Sequence, residues 1–105
     1  MQRITASDFS GSPQSYIAQL DITTEEIESR WGSGDITWDD LGAWITFAFR
    51  LDDEALVALV REKENAPAHG YILTAIGNTP PDEILLGFMK EFDIPHSRVV
   101  HKGFT

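Results

Sequence analysis

Hydrophobic and polar positions along the 105-residue chain fall into short patterned stretches separated by glycine and proline, with no internal repeat and no low-complexity segment. The first stretch follows Ser12-Pro13, where serine suits a helix cap and proline the first helical turn; it predicts a brief helix that buries Tyr16, Ile17 and Leu20 and ends by Asp21. Thr23-Thr24-Glu25-Glu26 then spells a capping box, in which Thr23 and Glu26 satisfy each other's backbone amides. That helix runs to Trp31 and stops at Gly32-Ser33-Gly34.

Two patterns compete between Asp35 and Leu51. Trp38, Leu41, Trp44, Ile45 and Ala48 recur at helical spacing, whereas Trp44 to Leu51 alternates strictly, with Ile45, Phe47, Phe49 and Leu51 on one face. Aromatic and β-branched residues favour the strand, so the reading is a short helical turn around Trp38 to Leu41 followed by a strand over Trp44 to Leu51. Asp52 or Asp53 next caps a helix carrying Leu56, Val57, Leu59 and Val60, which closes on Arg61-Glu62-Lys63-Glu64 and is terminated by Asn65 to Pro67. Tyr71 to Ile76 reads as a buried strand. Thr79 caps a further helix, with Pro80 at its first position, Ile84, Leu85, Phe88, Met89 and Phe92 as its apolar stripe, and Pro95 as its stop. Ser97 to His101 is a short strand of edge character.

Strands separated by helices imply parallel pairing through right-handed crossovers. The expected fold is therefore α/β (or α+β): a small single domain spanning residues 1–105, in which N-terminal helices precede a β-α-β-α-β unit with a three-stranded sheet. If Trp44 to Leu51 is helical instead, the chain becomes mainly helical with a two-stranded sheet.

Composition narrows the function classes. At 42% hydrophobic and 24% charged residues the chain is that of an ordinary globular domain, large enough to bury roughly 65% of its unfolded surface. It has no cysteine, which removes disulfide scaffolds, thiolate nucleophiles and sulfur-ligated zinc. Met1 to Ser10 holds no apolar run long enough for a signal peptide or membrane span, and no lipidation motif is present, so the expected location is the cytoplasm with no membrane role.

The formal net charge is −9, and it is uneven. Asp21 to Glu54 contains ten acids (Asp21, Glu25, Glu26, Glu28, Asp35, Asp39, Asp40, Asp52, Asp53 and Glu54) against two bases, Arg30 and Arg50. Direct nucleic-acid binding needs lysine and arginine against phosphate, so this polarity argues against a DNA or RNA reader and for a basic protein partner.

Candidate chemistry is sparse. His96 and His101 do not have metal-ligand spacing, and His69 sits in a Pro-Ala-His-Gly turn. Asp35, Thr37 and Asp39 match the opening of a calcium loop, but Asp40 stands where that loop needs glycine and Thr46 where it needs glutamate. There is no nucleophile motif and no phosphate loop, so neither a catalytic residue nor a cofactor is assigned and the chain is read as a non-enzyme. Trp31, Trp38, Trp44, Phe47 and Phe49 crowd into the acidic segment, and a tryptophan flanked by Asp35, Asp39 and Asp40 has the chemistry of an interface anchor with an acidic rim.

The leading expectation is a small acidic inhibitor, of the kind represented by immunity proteins, antitoxins or phage-type antagonists, that blocks a basic nuclease or other nucleic-acid-binding protein. Its partner-binding residues would be Asp35, Trp38, Asp39 and Asp40, with Glu25 and Glu28 as an outer rim. A second expectation is a small-ligand or enzymatic site at the carboxyl edge of a parallel sheet, where Asp52, Asp53, Gly77, Asn78, Thr79, His101 and Lys102 would gather, His101 being the proton-transfer group and Gly77-Asn78-Thr79 an anion cradle. A third is a self-associating assembly module with an exposed edge at Val99 and Val100.

Overall fold

The computed structural model describes residues 1–9, 12–40, 42–63 and 70–104. Seven strands form one antiparallel sheet: β1 (Gln2–Ile4), β2 (Ser15–Leu20), β3 (Asp35–Asp39), β4 (Gly42–Arg50), β5 (Leu56–Glu62), β6 (Tyr71–Ile76) and β7 (Val99–Lys102). Two helices accompany it, α1 (Thr24–Trp31) and α2 (Pro81–Phe92). The strand order is β1-β4-β5-β6-β2-β7, and β3 lies in line with β1 along the same side of β4.

This sheet overturns the α/β expectation of a three-stranded parallel unit, and equally the mainly helical alternative. Two stretches read as helices are strands. In β5, Val57 and Leu59 face the helices while Leu56, Ala58 and Val60 face the other side, so a strand covered on both faces shows a continuous apolar run that imitates a buried helix. In β2, a bulge between Tyr16 and Ala18 lets the neighbouring Ile17 and Ala18 both enter the core, and the resulting spacing to Leu20 looks helical. Asp53 does not cap a helix: its carboxylate accepts the Ala55 amide at 3.0 Å, within a tight β4–β5 turn in which Glu54 takes a positive φ of 75°. That turn replaces the expected crossover with a hairpin, so β4 and β5 pair antiparallel.

Trp38 and Asp39 end a strand and Asp40 occupies a turn, so the expected helical turn at Trp38 to Leu41 is also absent; Leu41 itself lies outside the described residues. So do Glu64, the Asn65 to Pro67 terminator and His69. The strand read over Trp44 to Leu51 is present as β4, and the one over Tyr71 to Ile76 as β6. Ser97 to His101 begins as a 3-10 turn at His96–Arg98 and becomes the edge strand β7.

The capping box of α1 is complete, with Thr23 Oγ1 accepting the Glu26 amide at 3.1 Å and Glu26 accepting the Thr23 amide at 3.1 Å. α2 begins one residue later than its sequence suggests: Pro80 is the cap, Pro81 opens the helix, and Asp93 in the left-handed region ends it.

The main core lies between the sheet and the helices. Phe47, Phe49, Leu59, Tyr71 and Leu73 meet Ile27 of α1 and Ile84, Phe88 and Phe92 of α2. Phe49 is its centre, edge-on to Trp31 at 5.4 Å and to Phe92 at 6.5 Å. On the opposite face the small side chains Ala48 and Ala58 leave room for Phe9, delivered by a 3-10 turn at Ala6–Phe9. Among the described residues no helix is long and apolar enough to cross a membrane.

Candidate functional site

The acidic, aromatic segment forms the β3–β4 hairpin. Asp39 pairs with Gly42, so the connection is two residues long, and Gly42 adopts a φ of 129° that a side chain would resist. Cross-strand register divides its side chains between two faces: Asp35, Thr37 and Asp39 lie on the face of Trp44 and Thr46, while Ile36 and Trp38 lie on the face of Ala43 and Ile45. Beyond the reach of the helices, Trp38 is left 74% exposed and Ile36 46%. Trp31 and Trp44, by contrast, are half-buried.

Two of the three carboxylates around Trp38 have partners within the fold. Asp35 accepts the Ala6 amide at 2.8 Å and lies 3.7 Å from the Arg3 guanidinium. Asp39 accepts the Trp44 indole N–H at 2.8 Å. Ala6 and Arg3 are about thirty residues away in the chain, which is why local sequence did not reveal them. These bonds set the orientation of both carboxylates. Trp38, Asp39 and Asp40 are brought together at the hairpin tip; Asp35 stands at the other end of β3, about 13 Å away at the usual rise per strand residue.

Glu25 and Glu28 are exposed on α1, one loop before β3. Between them in sequence, Glu26 is committed to structure: it receives Arg98 at 2.6 Å, and the guanidinium holds its carboxyl below the usual carboxylate range. Arg98 also donates to the Asp21 carbonyl at 2.6 Å, tying the approach to β7 to the start of α1.

Two open hollows flank the hairpin. One, of about 340 Å³, lies on the Asp39 face among Phe9, Gln14, Thr37, Trp44, Thr46 and Val60. The other, of about 390 Å³, runs between Thr5, Ala6 and Ser7 on one side and Asp35, Ile36 and Thr37 on the other.

The remaining candidates are dispersed. In the antiparallel sheet Asp52 follows β4 and Lys102 ends β7, four strand spacings or about 19 Å across the sheet, so the expected site at a carboxyl edge is not assembled. Gly77-Asn78-Thr79 leads into a helix whose cap and first residue are both proline, and two amide donors that would hold an anion are missing there. His101 is exposed on β7, its Nδ1 3.1 Å from the Tyr16 hydroxyl. Asp35, Thr37 and Asp39 occupy a strand, a shape that cannot wrap oxygen ligands around calcium.

Sequence reasoning missed Ile36. The signal was available: Asp35-Ile36-Thr37-Trp38-Asp39 alternates polar and apolar, the signature of a half-exposed strand. Comparison of the chain with protein-family models, with curated proteins and with solved structures found no match.

Proposed function

We propose that this protein binds a basic protein partner through the tip of the β3–β4 hairpin and inhibits it by covering a nucleic-acid-binding surface, as immunity proteins, antitoxins and phage-type antagonists of nucleases do. One observation carries the reading: Trp38, a large apolar side chain, stands 74% exposed beside Asp39 and Asp40. An exposed tryptophan with a charged rim is the arrangement in which a buried anchor supplies affinity and the surrounding carboxylates supply rate and selectivity. The net charge of −9 extends the same field beyond the hairpin, with Glu25 and Glu28 as its outer part. The protein acts by binding, without catalysis or cofactor, in the cytoplasm, where an antagonist meets its target before the target reaches nucleic acid.

The test is capture from an extract of the native host with the parent and with Trp38→Ala, followed by mass spectrometry and by nucleic-acid binding of the captured protein. A basic partner retained by the parent, lost by the variant and blocked from nucleic acid supports the reading. A partner held equally by both proteins, or one still free to bind nucleic acid, refutes it.

A further inference from the structure

We infer that β3 is an open docking edge that accepts an extended basic segment of the partner as an additional strand of the sheet. The inference rests on the proposed function and specifies how the partner is held.

The backbone supplies the first argument. Among the described residues, β3 hydrogen-bonds through its main chain to β4 alone, so alternate amides and carbonyls on its outer side face away from the sheet. An exposed edge is a template for another strand, and folded proteins ordinarily blunt it with lysine, a bulge or extreme shortness. The opposite edge is protected in this way: β7 has four residues, a register irregularity against β2, and Lys102 at its end. β3 has no lysine, keeps regular register over its whole length, and presents Ile36 and Trp38 instead. The hollow between Thr5 to Ser7 and Asp35 to Thr37 runs beside this edge, with the Ala6 amide closing it only at the Asp35 end.

Side chains supply the partner's chemistry. A strand laid against β3 would set apolar residues beside Ile36 and Trp38 on one face, and residues beside Asp35, Thr37 and Asp39 on the other. Asp39 is fixed by the Trp44 indole and Asp35 by the Ala6 amide, so the acidic row is preorganised. Lysine or arginine at alternate positions of the incoming strand satisfies that row. A second copy of this chain does not: antiparallel pairing centred on Thr37 would oppose Asp35 and Asp39 twice, and like charges directly across a sheet repel. The occupant is therefore a segment in which basic and apolar residues alternate.

The experiment uses the full chain labelled with nitrogen-15 and a capped synthetic peptide alternating lysine and valine, with a glutamate–valine peptide as control. Amide exchange and chemical shifts are followed by NMR at increasing salt. The lysine peptide should slow exchange of alternate amides in Asp35–Asp39 by at least ~5-fold, because edge amides gain hydrogen bonds. Binding should weaken by roughly 10-fold in Ile36→Lys and in Asp39→Lys, since each places a like charge against the peptide, and high salt should weaken it similarly. Both variants alter exposed edge positions, and an unchanged spectrum elsewhere verifies their fold.

Shifts at Trp38, Asp39 and Asp40 without slowed exchange in β3 would overturn strand addition while leaving the basic-partner reading in place. Equal responses to the two peptides, or protection at β7 instead, would also overturn it. Protection that grows with protein concentration in the absence of peptide would make a second copy the occupant and refute the basic strand.

Discussion

Truncation of Trp38 separates a side chain kept for binding from one kept for folding. Its indole is 74% exposed, so the fold covers only about a quarter of the roughly 250 Å² a large aromatic side chain can bury. At about 25 cal/mol per Å², that quarter is worth about 1.5 kcal/mol, an upper bound because unfolded chains already bury part of their surface. Trp38→Ala should therefore lower unfolding free energy by about 1 kcal/mol, or the melting temperature by about 4–8 °C. Phe49, fully buried against Trp31, Phe88 and Phe92, is the control: Phe49→Ala should cost about 3–5 kcal/mol. Against the captured partner the order reverses, because the uncovered three-quarters of Trp38 is available to fill a pocket. Its loss should cost about 2 kcal/mol or more, roughly a 30-fold rise in Kd. Urea unfolding followed by far-ultraviolet dichroism and binding by titration calorimetry measure the two effects. A stability loss above about 3 kcal/mol, or an unchanged Kd in a folded variant, would refute the reasoning.

Charge reversal at Asp39 and Asp40 together should slow association with the partner by about 10-fold or more at low salt and flatten its salt dependence, as stopped-flow mixing would record; an unaltered salt slope would count against steering by the hairpin. Glu26→Gln tests the link between α1 and the approach to β7. Arg98 depresses the Glu26 pKa in the folded protein, so the carboxylate's contribution is full above the ordinary carboxylate range and is lost as pH falls through the folded value. Both side chains are partly exposed and screened, so the substitution should cost about 1 kcal/mol near neutrality and nothing in strong acid; an equal cost at both would remove the charge from the explanation. Gly70 takes a φ of 87°, and a Cβ there would stand 1.9 Å from the Leu20 carbonyl oxygen, so Gly70→Ala should destabilise by about 2 kcal/mol or more in urea unfolding. A cost below 0.5 kcal/mol, on the order of a neutral surface change, would contradict that close approach.

What the sequence alone determined is what neighbouring residues decide among themselves. Thr23 and Glu26 are three apart and cap each other without help from the rest of the chain. The alternation from Trp44 onward selects a strand because one face must meet the core, and net charge and the missing cysteines are counts that no fold can change. The acidic tip with Trp38 was visible for the same reason, since Trp38, Asp39 and Asp40 are consecutive. Tertiary structure decided everything that depends on a second surface. β5 became a strand because helices cover one of its faces and Phe9 the other, a circumstance its apolar run cannot distinguish from a buried helix. β2 required the bulge that only pairing with β6 and β7 creates. The β4–β5 hairpin follows from a tight turn at Asp52 to Ala55 whose acidic residues also suit a helix cap. The partners of Asp35, and the open edge of β3, exist only once β1, β3 and β4 are side by side, because hydrogen bonds and free edges are properties of assembled strands.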